Sequence, residues 1–189
     1  MASEIIVQTI KAPTSGANAN KVIIPSGVTL DASGGNFSPP SGHIVQTSAV
    51  TRVINLQMTI NNSSANTAVG NGVIASITPK QSNSLFRVVL SYGSNGPPGQ
   101  YVATRIFTSV AGGSYANVGT HLPIAWTGGS GSWDTSIIDQ ILDPTYTLGN
   151  TISFQPYIYT FNQSQNAYWG WGSSGGGSQI QFYVQEIAQ

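Results

Sequence analysis

Three aspartates in one short stretch are the first residues whose type and spacing could support chemistry. Asp134, Asp139 and Asp143 lie close together, and Trp133 precedes the first of them. Most glycosidases use two carboxylates that face each other across a sugar, so the stretch has the residue types for glycan cleavage. In an extended strand, however, Asp139 and Asp143 share a face and Asp134 does not. Aspartates near turns more often brace loops, so we predict no catalytic residue here.

The remaining chemical patterns do not form a site. The chain has two histidines, His43 and His121, and neither has neighbours at the spacing of a zinc site. Residues 170–175 fit G-x-G-x-x-G and residues 172–176 fit G-x-S-x-G, but both lead into a predicted strand rather than a helix. The absence of cysteine excludes disulfides and thiolate chemistry. We therefore predict no metal, no cofactor and no enzymatic activity.

Aromatic residues on glycine-rich loops are the most informative local feature. They form two groups, one around residues 128–131 and one just before residues 175–177. Exposed tryptophans offer flat apolar faces that can stack on sugar rings, while Asn and Gln bind hydroxyls. Aromatic residues are also common in cores and subunit interfaces, and the sequence leaves both interpretations open. The candidate ligand-binding residues are Trp126, Trp133, Tyr168, Trp169 and Trp171.

The elements that would position these residues are strands, because the dominant hydrophobic period is two. Ile54, Leu56, Met58 and Ile60 alternate with polar residues, which predicts one buried and one exposed face. Residues 85–90 are mostly apolar, which predicts a strand buried on both faces. Residues 132–142 could form a helix, but strands flank them, so we predict an extended conformation. Strand-like runs separated by polar turns indicate an all-β sandwich or barrel.

The composition excludes several classes of function. Charged residues make up 6% of the 189 residues, against about 25% in an average soluble domain. A net charge of zero argues against nucleic-acid binding, and no apolar run reaches the roughly 18 residues of a membrane helix. Charge normally keeps strand edges from pairing with other chains. A chain without it can cover those edges in an oligomer or present a neutral surface to hydroxyl-rich partners.

Residues 1–42 differ from the rest of the sequence. Short apolar runs at residues 5–7 and 22–30 are separated by polar stretches, and Pro39 and Pro40 indicate a hinge. Because so few strands are marginally stable alone, we expect these runs to pair with other copies or with a partner. The predicted division is an extended N-terminal β arm at residues 1–42 and a head at residues 43–189. The anchoring residues of the arm are Ile5, Val7, Ile10, Val22, Ile24 and Leu30.

Several short motifs resemble those of short tail-fibre-like virion proteins of tailed bacteriophages, particularly phages of marine bacteria and cyanobacteria. The first eleven residues, Met-Ala-Ser-Glu-Ile-Ile-Val-Gln-Thr-Ile-Lys, are similar to the start of such proteins, and residues 21–35 to their linker. Ala-Ser-Ile-Thr-Pro at residues 75–79, with residues 84–90, resembles a characteristic pair of strands, although the usual lysine is missing. Similar matches to the first strand, a turn and the closing strand of the head lie at residues 42–46, 142–144 and 181–188.

This resemblance implies a homotrimer with a jelly-roll head similar to tumour-necrosis-factor-like trimers. It implies that the N-terminal arm anchors the trimer to another virion protein. We expect a tail fibre or spike on the exterior of a phage particle that attaches to host-surface glycans, with no nucleic-acid partner and no membrane insertion. Two alternatives stay open: a capsid decoration (cement) protein that clamps the shell, and a non-viral carbohydrate-binding module.

Overall fold

The two-residue period forms strands throughout the part of the chain that the structure describes. The computed structural model describes the backbone at residues 14–16, 39–54, 56–60, 67–70, 72–95, 100–118, 124–127, 134–160, 165–169 and 178–189. In these ranges every regular element is a β-strand, which confirms the all-β prediction. No helix in the same ranges is long and apolar enough to cross a membrane.

The chain divides into two compact units, Met1–Phe37 and Ser38–Gln189. The predicted arm and head, with their boundary at residues 42 and 43, stay a prediction. The anchoring residues proposed for the arm lie outside the described residues: Ile5, Val7, Ile10, Val22, Ile24 and Leu30.

Twelve strand segments occupy the described part of the second unit. They are β1 (Ile44–Ile54), β2 (Leu56–Ile60), β3 (Thr67–Ala68), β4 (Ala75–Ile77), β5 (Leu85–Asn95), β6 (Gln100–Val110), β7 (Ala116–Asn117), β8 (Ile124–Thr127), β9 (Asp134–Leu142), β10 (Ile152–Thr160), β11 (Gln165–Trp169) and β12 (Ser178–Ile187). They form two sheets in which every pairing is antiparallel. Sheet A has the order β1-β12-β5-β11-β2 with β9 on β5. Sheet B has the order β3-β10-β6-β7, with β4 on β10 and β8 on β6.

The pairing order is that of a jelly roll. In three places two successive segments pair with the same neighbour: β3 and β4 with β10, β7 and β8 with β6, and β11 and β12 with β5. β1 and β2 likewise follow each other along β12 and β11. Counting each such pair as one strand leaves eight strands in chain order. Their order is then 1-8-3-6 in sheet A and 2-7-4-5 in sheet B, so that successive strands repeatedly change sheets. The predicted jelly-roll-like β-sandwich is therefore confirmed by the strand pairing.

The core lies between the two sheets, where every second side chain points inward. Phe86 on β5 and Phe182 on β12 are buried on sheet A, and Phe154 on β10 is buried on sheet B. The rings of Phe86 and Phe154 lie 5.7 Å apart, which brings the two sheets into contact. Burying each such side chain contributes about 1.5–3 kcal/mol, so these alternating positions hold the sandwich together.

Residues 134–142 form a strand, which confirms the extended interpretation over the helical one. β9 pairs with β5 along its length, with Asp139 opposite Val89. Ile138 and Leu142 enter the core, whereas Ile137 and Ile141 face away from it. The helical stripe seen in the sequence is thus divided between the two faces of a strand.

A buried carboxylate fixes the connection between β4 and β5. Glu186 on β12 has no exposed surface. Its two oxygens accept hydrogen bonds from the backbone N–H groups of Lys80 (2.9 and 3.0 Å) and Gln81 (3.1 Å). The Ser84 hydroxyl (2.7 Å) and the Gln46 side-chain amide (2.6 Å) also donate to it. A buried carboxylate that accepts from four donors holds the turn against the end of sheet A.

We expect Glu186→Gln to lower the free energy of unfolding by about 2–4 kcal/mol, because the new amide group adds a donor where the surrounding groups also donate. Chemical denaturation monitored by tryptophan fluorescence measures the loss. Asp143→Asn makes the same exchange of carboxylate for amide at an exposed position and should change stability by less than about 0.5 kcal/mol. Equal effects of the two variants would contradict the role assigned to Glu186.

Candidate functional site

The outward side chains of sheet A form the candidate functional surface, which we call the A face. They alternate with the core residues along β5, β9 and β12 and line up across the sheet through the strand register. Tyr183 lies opposite Val89, and Val89 lies opposite Asp139. At one end of the sheet, Ile44 pairs with Ile187. The A face is thus a continuous surface across four strands rather than a cleft.

Large apolar side chains are exposed on the A face. Ile137 and Ile141 on β9 are 65% and 60% exposed, and Ile44 at the start of β1 is 53% exposed. Single exposed apolar residues are common, but neighbouring ones on one strand face, such as Ile137 and Ile141, are typical of protein interaction surfaces. The A face therefore has the chemistry of a surface that another protein covers.

One ion pair lies in the middle of this surface. Arg87 on β5 donates from Nε to Oδ1 of Asp139 at 2.8 Å and from Nη2 to Oδ2 at 2.5 Å. The hydrogen bond and the charge of Arg87 lower the pKa of Asp139, and the hydrogen bond with Asp139 raises the pKa of Arg87. The prediction that residues 85–90 are buried on both faces is wrong at Arg87, whose side chain is 41% exposed. The charge of Arg87 needs solvent or an ionic partner, and the carboxylate of Asp139 is that partner.

The aspartates singled out in the sequence are not a free pair of carboxylates on one strand. Asp139 lies in β9, whereas Asp143 lies one position beyond the end of that strand. The carboxylate of Asp139 is held by Arg87. This carboxylate therefore has a structural partner, as expected for aspartates that brace strands and loops. The absence of enzymatic activity stays a prediction.

The five aromatic residues predicted to bind ligand are only partly described. Trp126 lies in β8 opposite Tyr101, while Tyr168 and Trp169 lie in β11. The loop positions expected for these three residues were wrong, because the backbone of each pairs with a neighbouring strand. Trp133 and Trp171 lie outside the described residues, and of the other three only the backbone is described. Ligand binding by the five residues stays a prediction.

A further aromatic cluster was not predicted from the sequence. The rings of Phe107 and Tyr157 stack on the outer face of sheet B with centroids 4.2 Å apart, and Tyr115 lies 6.0 Å from Tyr157. Burial raises the pKa of Tyr115, and a hydrogen bond with Ser153 partly offsets this shift. The sequence feature that could have identified this cluster is the alternation within β6 and β10. It separates outward-facing Phe107 and Tyr157 from the inward-facing core residues. The cluster packs residues 113–117 onto sheet B and supports the fold rather than a cleft.

The histidines and acids do not form a metal centre in the described part of the chain. His43 is exposed and its Nδ1 lies 3.1 Å from the carbonyl oxygen of Pro40, and His121 lies outside the described residues. No group of three or more His, Cys, Asp or Glu side chains in the described ranges could hold a metal ion.

No protein-family model matches this chain. No curated protein sequence matches it either. One similar solved structure is that of infectious bursal disease virus, Gx strain, with a TM-score of 0.42 and 12% sequence identity over 77% of this chain. The chain spans 37% of the length of that viral chain.

We expect Arg87→Gln to raise the pKa of Asp139 towards its ordinary value near 3.8, because the variant removes the cation that stabilises the carboxylate. In the unmodified protein the ion pair stabilises the fold above pH 4 or so, and this contribution is lost as the pH falls through the lowered pKa of Asp139. It is small and sensitive to salt, because both side chains are well exposed.

An NMR titration of the side-chain carboxyl groups measures this change. An unchanged titration midpoint for Asp139 in the Arg87→Gln variant would show that the ion pair does not form in solution.

Proposed function

We propose that this chain is a virion structural protein that forms a homotrimer on the exterior of a phage particle. The jelly roll supports this proposal, because viral capsid proteins and lectins use the same architecture. The motif resemblance to phage tail-fibre-like proteins supports the more specific phage assignment. Many functions share this fold, so the residues on its surface decide what it binds.

The observation that carries the proposal is the apolar A face on a chain with very few charges. Exposed Ile44, Ile137 and Ile141 lie on one sheet, and six acidic and six basic residues serve the whole chain. Such a surface is poorly protected against association with other chains. This property favours association as its role. Sister copies and neighbouring virion proteins are the partners that would cover it.

Host attachment is the finer part of the proposal. Trp126, Trp133, Tyr168, Trp169 and Trp171 would stack on neutral sugars of the host surface. Three weak sites on one trimer would raise the overall affinity without new contacts, because the second and third binding events become intramolecular. The arm at residues 1–42 would anchor the trimer to another virion protein.

The alternative role is capsid decoration, in which the same trimer clamps shell subunits and binds no glycan. Labelled protein distinguishes the two roles when it is incubated separately with host cells and with empty shells. If the protein binds host cells and free glycans inhibit this binding, the attachment role is supported. If the protein binds only to empty shells, decoration replaces attachment as the proposed role.

We expect the full chain to have a native mass that is a whole multiple of three chains of 19.8 kDa. The physical reason is that closed assembly covers the apolar A face and the strand edges. Native mass spectrometry at neutral pH measures the assembly. A monomer would contradict the trimer, and so would a set of oligomers in which no species contains a multiple of three chains. This test does not depend on which surface mediates association.

A further inference from the structure

Strand β9 has an edge without a partner in the described part of the chain. β5 pairs with one side of β9, and none of the described strands pairs with the other side. The nine residues Asp134–Leu142 include no proline, glycine or lysine. These residues are among the devices by which proteins keep an edge strand from pairing with another chain. β9 is therefore long, regular and unprotected by its own sequence.

The charge that could protect this edge is already neutralised. Within β9, Asp139 is the one charged residue beyond the first position, and Arg87 holds its carboxylate from the neighbouring strand β5. On either side of it along the strand, Ile137 and Ile141 present large exposed apolar side chains. A second strand that approaches this edge meets isoleucines and a neutral ion pair rather than an uncompensated charge.

We infer that β9 pairs antiparallel with β9 of a second copy of this chain, across a two-fold axis at Ile137. In this register the Ile137 side chains of the two copies face each other, and Asp139 lies opposite the partner's Thr135. The pairing covers residues 134–140 of both strands. It joins sheet A of the two copies into one continuous sheet and brings their Ile137 side chains into contact.

The charge pattern of β9 selects this register. Side chains directly opposite each other in an antiparallel pair lie on the same face and contact each other. An axis at residue 138 or 140 would place Asp139 against the partner's isoleucines. An axis at 139 or 141 would place it against the carboxylate of the partner's Asp139 or Asp143, which is destabilising. An axis at 136 shortens the pairing to residues 134–138, compared with residues 134–140 for the axis at 137.

This contact is separate from the three-fold association proposed above and does not depend on it. A two-fold contact doubles whatever assembly the rest of the chain forms. The pair would be observed as a dimer if the chain does not form trimers, and as two joined trimers if it does.

Single-cysteine variants test the register directly, because the chain has no cysteine of its own. Directly opposed residues of an antiparallel pair have Cα atoms about 4.5–5.5 Å apart, within the range of a disulfide. We expect oxidised Ile137→Cys to run as a covalent dimer of twice 19.8 kDa on a non-reducing gel, for at least half of the chains. Ile141→Cys is the matched control, since its side chain is on the same face and equally exposed, and it should stay monomeric on the gel.

The other outcomes overturn the proposal. No covalent dimer from Ile137→Cys would exclude this axis, and a dimer formed only when the two variants are mixed would place the axis at residue 139. Equal cross-linking of both variants would indicate random collision.

As a second measurement, Ile137→Arg should halve the native mass, whereas Leu148→Arg, at another exposed apolar residue, should not. An unchanged mass for Ile137→Arg would also overturn the proposal.

Discussion

The unpaired backbone at sheet edges is the constraint on which this structure depends. A jelly roll consists of two open sheets, so each sheet ends in strands with hydrogen-bonding groups on one free side. Most soluble proteins protect such edges with charged side chains, but this chain has 6% charged residues. β9 combines a regular edge with exposed Ile137 and Ile141. Association with other copies is the physical solution that its residues favour.

Three charged residues in the described part of the chain have partners within the chain. Glu186 is buried and fixes the turn before β5, and Asp139 binds Arg87 across two strands of the A face. Both arrangements link residues that are distant in sequence: 106 positions separate Lys80 from Glu186, and 52 separate Arg87 from Asp139. Charge in this protein therefore specifies strand register and turn geometry more than it keeps the surface apart from other proteins.

The fold could be predicted from the sequence because strand periodicity is local. Alternation at residues 54–60 predicted a strand, and β2 lies there; the apolar run at residues 85–90 predicted another, and it lies within β5. The A face could not be predicted, because residues 137–138 and 141–142 are apolar at adjacent positions, so either face of β9 could have been the inner one. The roles of Glu186 and Arg87 depend on partners from other strands, which no local pattern shows. Trp126 and Trp169 were expected in loops because nearby glycines suggested turns, but pairing with β6 and β2 extends the strands over them.

Hydrogen–deuterium exchange along β9 tests the central claim most directly. In an isolated antiparallel edge strand, alternate amide groups point to solvent, while the amide groups of an inner strand are all bonded. If other copies cover this edge, all the amides of residues 134–140 are protected at high protein concentration to the same degree as those of β5, and alternate ones lose protection on dilution. Fast exchange at alternate positions of β9 at all concentrations, with β5 fully protected, would contradict the account.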